Sequence, residues 1–162
     1  MKILLAYIGL SLLLFSCQQD DEFDCSTNEP NRNNSSITIG QGLWGDIWFW
    51  KGDFMPICAS GTISSVERSV YVYELTSNDD VEFIYASGGF FTSINTNLVG
   101  TTTSNSAGFF EIELEPGSYS IFVKEGDNFY ANRWTSEGIN TVKVTENKVS
   151  ELLFNITYEA TY

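Results

Sequence analysis

The sequence predicts an all-β fold built from short antiparallel strands. From about residue 36 onward, short apolar and aromatic runs alternate with clusters of Gly, Asn, Asp and Ser. No stripe of apolar residues at helical spacing extends over a convincing length. Short strands separated by turn residues are typical of an antiparallel sandwich or barrel. The segments that fit as strands are 43–51, 69–75, 81–85, 98–102, 109–115, 118–124, 141–145 and 150–158.

The clearest strand signal lies in the stretch GFFEIELEPGSYSIFV, residues 108–123. Apolar side chains alternate there with acidic ones: Phe110, Ile112 and Leu114 against Glu111, Glu113 and Glu115. A period of two is what a half-buried strand requires, so we expect the apolar row to face the core. Pro116 and Gly117 then predict a tight hairpin turn. The inward rows that continue this pattern are Tyr119, Ile121 and Val123, and in the last strand Leu152, Phe154, Ile156 and Tyr158.

The three glutamates of that strand could instead be catalytic. On one strand face, Glu111 and Glu113 would lie about 6.5 to 7 Å apart at Cα, which suits an inverting glycosidase. A general acid, however, needs a pKa raised by burial, and a row that points into water has none. We therefore interpret the row as a solvated face that discourages edge-to-edge aggregation.

Residues 1–16 have the pattern of a cleaved signal peptide. Lys2 precedes an uncharged apolar run that ends at Phe15 and is shorter than the about 20 residues needed to cross a bilayer. The following LFSC resembles the lipobox of bacterial lipoproteins, which implies cleavage after Ser16 and acylation of Cys17. Several acyl chains on one cysteine give stable membrane attachment. An ordinary signal that releases a soluble protein is the alternative.

The segment after Cys17 is polar and acidic. Residues 17–35 contain almost no apolar side chains, so we expect a flexible tether there and a folded domain over residues 36–162. The opening QQDDE resembles the tags that send some Gram-negative lipoproteins to the cell surface. We therefore expect an outer-membrane lipoprotein displayed at the surface; a linker without a sorting role is the alternative.

The net charge excludes one class of partner. The chain carries −13, and removal of Lys2 with the signal leaves 7 basic and 21 acidic side chains, or −14. A surface this acidic repels phosphate backbones. We therefore expect no nucleic-acid binding.

Residue types also limit the chemistry. The chain has no histidine, so Ser-His catalysis is excluded and zinc loses its commonest nitrogen ligand. The acidic turn at Asp79 and Asp80 lacks the DxDxDG pattern of a strong calcium loop. The sequence therefore predicts no catalytic residue, no metal and no cofactor. Cys25 and Cys58 fit either a disulfide in an oxidising compartment or two free thiols.

Aromatic residues are the remaining candidates for a binding site. Trp48 and Trp50 share one strand face near Trp44, so they could form a stacking platform for sugar rings or an anchor for a partner. Core packing is the more common role of tryptophan in sandwiches. Tyr130 and Trp134 lie in YANRW, which we expect to be an exposed loop and the better binding candidate. The weakly patterned stretch 86–97 predicts a loop whose Phe residues fold back onto the domain.

The stretch TTTSNSAGFFEIELEPGSYSIFVKEG resembles the signature of carboxypeptidase regulatory-like domains. The motif positions are Thr103, Asn105, Gly108, Phe109, Phe110, Ile112, Leu114, Pro116, Gly117, Tyr119, Ile121 and Val123. The resemblance implies a transthyretin-like fold, an antiparallel Greek-key sandwich of about seven strands. It also implies an accessory, folding or interaction module without catalytic residues.

Together these observations predict a lipid-anchored cell-envelope protein whose sandwich is a non-catalytic binding or accessory module. Its expected partners are the membrane, through the lipid, and an envelope protein or a glycan. The alternatives are a surface carbohydrate-binding module or adhesin component that uses exposed aromatics, and a carboxylate-dependent hydrolase.

Overall fold

The computed structural model describes residues 28–56, 60–84 and 88–162, which form two β-sheets and almost no helix. The all-β sandwich predicted from the sequence is confirmed. The strands are β1 (Gly42–Asp53), β2 (Thr62–Ser65), β3 (Ser69–Glu74), β4 (Val81–Phe83), β5 (Phe90–Ile94), β6 (Leu98–Thr103), β7 (Phe109–Ile112), β8 (Gly117–Glu125), β9 (Asn128–Tyr130), β10 (Thr141–Val144) and β11 (Val149–Thr161).

The first sheet is organised around β1. Strand β11 pairs with one edge of β1, and the short strands β2 and β7 share the other edge. The pairs with β2 and β7 are antiparallel, as expected. The pair of β1 and β11 is parallel, which differs from the expected antiparallel arrangement. The first and last strands of the described chain thus lie side by side along most of their length.

The second sheet has the order β4-β5-β9-β8-β3-β6, with β10 also paired to β8. All of its pairs are antiparallel. Strand β8 is its centre: β3 lies along one edge, while β9 and β10 share the other. Strands β6 and β4 are the two ends of the order.

The predicted hairpin at Pro116-Gly117 is wrong. Strand β7 pairs with β1 in the first sheet, whereas β8 pairs with β3 in the second, so this step joins the two sheets. The Tyr119 hydroxyl donates to the backbone oxygen of Glu115 at 2.8 Å and holds the crossover. Alternation fixes which side chains face the core, but it does not choose the strand that will be the neighbour.

The core lies between the sheets. Ile47 on β1 is level with Phe154 on β11, and both are buried. The second sheet contributes Val70, Val123 and Tyr130, which are aligned across three strands and fully buried. The rows predicted from alternation in β8 and β11 are buried up to Ile156, whereas Tyr158 is 39% exposed.

A second aromatic layer covers the other face of the second sheet. Phe91 packs edge-on against Phe122 with ring centroids 5.5 Å apart, and both rings are fully buried. The neighbouring Phe90 points to the inner face and packs on Tyr130 at 4.9 Å. Residues 90–94 are therefore strand β5 and not a loop, and their two Phe side chains fold onto the domain as expected.

The turn before β7 explains the Asn and Gly of the motif. The Asn105 side-chain oxygen accepts hydrogen bonds from the backbone N–H groups of Ala107 (2.9 Å) and Phe109 (3.2 Å). Gly108 has φ +80°, a backbone region that side chains rarely adopt. This turn carries the chain from β6 in the second sheet to β7 in the first.

Gly45 lets the Phe110 ring lie directly on β1. A Cβ at Gly45 would stand 2.2 Å from the Leu152 backbone oxygen and 2.7 Å from the Phe110 ring. The Phe110 ring fills the space that a side chain at position 45 would otherwise occupy, and it is 1% exposed. Neither the Leu152 backbone oxygen nor the Phe110 ring is the end of a flexible side chain, so neither can move aside without a cost in stability.

We predict that Gly45→Ala lowers the free energy of unfolding by about 2 to 3 kcal/mol, because the added methyl group overpacks the core. Chemical denaturation measures the change. Gly40→Ala is the matched control, since a Cβ there meets nothing within 4 Å, and we expect it to stay within about 0.5 kcal/mol of wild type. Equal stability of the two variants would contradict the packing described for Phe110.

Candidate functional site

The outer face of β1 is covered by a segment that we call the strap, residues 28–38. Trp44, Asp46 and Trp48 alternate along this face, and all three are buried. The Arg32 guanidinium lies over both indole rings, with its carbon 5.2 Å from the Trp44 ring centre and 5.8 Å from that of Trp48. Of the two roles left open for the tryptophans, core packing is confirmed for Trp44 and Trp48 and the binding platform is wrong, because the strap occupies the face where a ligand would stack.

Asp46 is the polar centre of the contact between strap and sheet. Its carboxylate has no exposed side-chain surface and forms an ion pair with Arg32, whose Nε lies 2.8 Å away but is not aligned to donate a hydrogen bond. Asn33 donates to the same carboxylate twice, from its backbone N–H (3.2 Å) and from its side-chain amide (2.6 Å). Arg32 also pairs with Glu151 on β11 at 2.7 Å. A buried carboxylate with a cation and two further donors is well satisfied, whereas removal of its cation would leave a buried charge.

The far end of the strap is held by Glu111. Thr38 donates its backbone N–H (2.9 Å) and its hydroxyl (2.5 Å) to this carboxylate. These hydrogen bonds, the hydroxyl first, lower the pKa of Glu111. Glu111 is thus a contact for the strap and not part of a solvated row, while Glu113 and Glu115 are exposed as predicted.

The strap corrects the predicted boundary between tether and domain. Residues 28–35 were expected to belong to a flexible tether over residues 17–35, yet Arg32 and Asn33 pack on the sheet. The segment is polar, and its stability comes from the match between its donors and Asp46. Residues 17–27 lie outside the described residues. So do Cys17, Cys25 and Cys58, and their lipidation and pairing remain predictions.

Trp48 has one unsatisfied group. Its indole Nε1 is buried and has no hydrogen-bond partner among the described residues. An unmade hydrogen bond of this kind costs about 1 to 3 kcal/mol. Trp50, two positions on, is half-buried: its Nε1 donates to Asn155 at 3.0 Å and its ring packs on Phe54 at 4.9 Å. Trp48 and Trp50 share a face, but they form no common platform because only Trp50 reaches the surface.

Tyr130 is a core residue, which corrects its predicted place in an exposed loop. The start of YANRW is strand β9, and Tyr130 faces inward between Phe90 and Tyr158 with no exposed surface. Its hydroxyl accepts a hydrogen bond from the backbone N–H of Thr157 at 3.1 Å. The loop begins only after Ala131, which is itself buried.

Trp134 is exposed, as expected. Its side chain is 45% accessible, and its Nε1 donates to the Asn78 side-chain oxygen at 3.1 Å, which fixes the ring. The ring borders a shallow depression of about 150 Å³. The other residues that line it are Ser77, Asn78, Thr135, Ser136, Glu137 and Gly138.

A larger groove was not predicted from the sequence. It has a volume of about 630 Å³ and lies where β6 of the second sheet approaches β7 of the first. Its apolar lining comes from Val99, Ile112, Leu114 and Tyr119, and its polar lining from Gly40, Gln41, Glu113, Glu115 and Asn147. Burial first, and then the charge of Glu115, raises the pKa of the Tyr119 hydroxyl. The one feature of the sequence that could have indicated this groove is the uncharged, apolar start of β6.

The second buried carboxylate is also paired. Glu125 on β8 accepts from Arg68 Nε, and its side chain is 7% exposed. The Tyr158 hydroxyl donates to the same carboxylate at 2.8 Å. Burial, followed by this hydrogen bond to a carboxylate, raises the pKa of Tyr158 to about 12. Asp46 lies on the first sheet and Glu125 on the second, and each has its own arginine.

Residues 28–56, 60–84 and 88–162 contain no cluster of three or more acidic, Cys or His side chains that could hold a metal ion. Within these same ranges, no helix is long and apolar enough to cross a bilayer. Comparisons of the chain with protein-family models, curated proteins and solved structures find no match in any of the three.

We predict that the strap is energetically coupled to the sheet through Arg32 and Asp46. Arg32→Met keeps the apolar stem over the tryptophans but leaves Asp46 without its cation. It should lower the free energy of unfolding by about 2 to 3 kcal/mol, a value reduced by the partial exposure of Arg32.

A double-mutant cycle with Asp46→Asn measures this coupling by chemical denaturation. The double variant should be more stable than the sum of the two single changes predicts, by about 1 to 3 kcal/mol. Strictly additive effects would show that the ion pair does not hold the strap.

Proposed function

We propose that this protein is a lipid-anchored cell-envelope protein whose β-sandwich is a non-catalytic binding or accessory module. The observation that carries the proposal is the strap, because it fastens the folded domain directly after the segment that follows Cys17. Eleven chain steps separate Cys17 from Asn28, and at about 3.5 Å per residue they reach at most about 40 Å. A lipid on Cys17 would therefore hold the sandwich close to the membrane surface, in a position suited to contact with envelope components.

The family resemblance supports the same role. We infer membership of the carboxypeptidase regulatory-like family from the motif around residues 103–123, whose turn and crossover residues have structural tasks in this chain. Asn105 and Gly108 form the turn into β7, and Tyr119 fixes the crossover into β8. These residues position strands and do not line a set of reactive groups. A carboxylate hydrolase ranks below the binding role because Asp46 and Glu125 each have an arginine partner.

The anchor is tested by Cys17→Ala in the native host. Without the acylated cysteine, we expect the protein to leave the membrane fraction and appear in the soluble fraction. Cys25→Ala is the matched control and should remain with the membrane. If Cys17→Ala still fractionates with membranes, the lipid-anchor proposal is wrong. Protease treatment of intact cells then tests whether the domain is displayed at the surface.

A second candidate function is glycan binding at Trp134. Sugar rings stack on exposed aromatic faces, and the depression beside Trp134 adds hydroxyl, amide and carboxylate groups for sugar hydroxyls. The hydrogen bond to Asn78 holds the ring in one orientation, which lowers the entropy lost on binding. The site is small, so it suits one sugar unit of a longer chain.

We predict that Trp134→Ala abolishes any glycan binding detected on an array of envelope and host glycans, with at least a tenfold loss of affinity. Tyr162→Ala is the control, because Tyr162 is also an exposed aromatic (65%) but lies outside the depression. Binding that survives Trp134→Ala, or an array without any binding, would contradict this second candidate.

A further inference from the structure

Strand β6 is an edge strand that carries neither a charge nor a proline, and its one irregularity is a register shift opposite Val72 and Tyr73 that leaves Val99 without a partner on β3. It pairs with β3 along one edge, and no other strand within the described ranges pairs with it. Its six residues, LVGTTT, include no charged side chain, and Leu98 (50%) and Val99 (44%) are exposed. Natural sheets usually protect such edges with charges, proline or bulges, because an open edge can accept another strand.

The open edge adjoins the groove between β6 and β7. Val99 is the β6 residue of that groove, and the Ile112 side chain approaches Gly100 from the facing sheet. The groove therefore offers the unpaired edge of β6, with Val99, on one side and an apolar floor of Ile112, Leu114 and Tyr119 on the other. These are the two components of strand-addition sites, in which the backbone gives affinity and alternate side chains fill pockets.

The rim of the groove is acidic. Glu113 and Glu115 are exposed, line the groove, and have no salt-bridge partner among the described residues. The whole chain carries −13, so its field also favours a cationic partner. Side chains of an extended peptide alternate, so apolar groups could face the floor while basic groups face the two glutamates.

We propose that the β6 edge and its groove bind an extended, basic polypeptide segment of another envelope protein by strand addition. The inference rests on the proposed binding role but not on the lipid anchor. Charge favours this occupant over two others: a second copy of the chain carries the same negative charge, and the segment after Cys17, QQDDEFD, is acidic.

The test is titration of the full detergent-solubilised chain with a synthetic eight-residue peptide of alternating Val and Lys, followed by calorimetry. We expect saturable binding that weakens with added salt. A peptide with Glu in place of Lys should not bind. Peptides N-methylated at alternate residues lose the N–H groups of one edge, so one of the two methylated series should lose at least tenfold in affinity and the other should not.

Two variants and one control locate the site. Glu113→Gln/Glu115→Gln should weaken binding about three- to tenfold, as expected for exposed charge pairs. Asp127→Asn/Glu82→Gln makes the same change in net charge at exposed positions outside the groove, and it should leave binding unchanged. Val99→Lys adds a protective charge to the edge and should abolish binding.

The proposal is overturned if the Val-Lys peptide does not bind, if both methylated series bind equally, or if the two double variants behave alike. It is also overturned if the full chain forms a concentration-dependent dimer that Val99→Lys dissolves, because the occupant would then be a second copy. None of these readouts depends on Cys17, so a failed titration and a failed membrane fractionation are distinguishable.

Discussion

The structure depends on the burial of β1 on both of its faces. On the inner face Leu43 and Ile47 pack against the second sheet, and Gly45 makes room for the Phe110 ring. On the outer face the described residues form no further sheet, and Arg32 covers the tryptophans while it pairs with Asp46. A strand with seven consecutive buried residues must be covered on both faces, by the second sheet and by the strap. Exposure of the side chains on either face would return a large apolar surface to water. The strap is therefore a structural element of the sandwich and not an appendage.

This use of aromatic residues decides where partners can bind. Trp44, Trp48 and Tyr130 are committed to packing, and so are the Phe residues on both faces of the second sheet. Among the described residues, the depression beside Trp134 and the groove beside β6 are surfaces that combine apolar groups with polar ones. They differ in the chemistry that they suit. A single oriented indole with small polar neighbours suits a sugar, whereas an open strand edge above an apolar floor suits an extended peptide.

Alternation in the sequence was sufficient to predict the fold class and most inward rows, because burial follows directly from the period of two. Ile121, Val123 and Phe154 are buried as that pattern indicates. Strand neighbours could not be predicted in the same way. Pro116-Gly117 fits a hairpin and a crossover equally well, and only the pairing of β7 with β1 distinguishes them. Tyr130 was assigned to an exposed loop because three-residue β9 is too short to give a periodic signal.

The strap could not be predicted from the sequence for a related reason. Its residues are polar, and polar composition normally indicates a segment that cannot fold. Here the stabilising contact is long-range, because Asn33 and Arg32 bind the buried carboxylate of Asp46 on β1. No residue close to them in the sequence indicates that partner. The groove beside β6 was missed as well, because it exists only where edges of two different sheets come together. Features made by two distant segments require the topology to be known first.

The central claim is that residues 28–38 form part of the folded sandwich. Amide hydrogen exchange of the full chain, followed by NMR, tests it at three positions: Asn33, Ser36 and Thr38. Their N–H groups donate to Asp46, to the backbone oxygen of Asn33 and to Glu111, respectively. We expect all three amides to exchange much more slowly than those of an unstructured chain and to lose this protection together in Arg32→Met. Exchange at unstructured rates in the wild-type protein would show that the strap is not fastened to the sheet and would contradict this account.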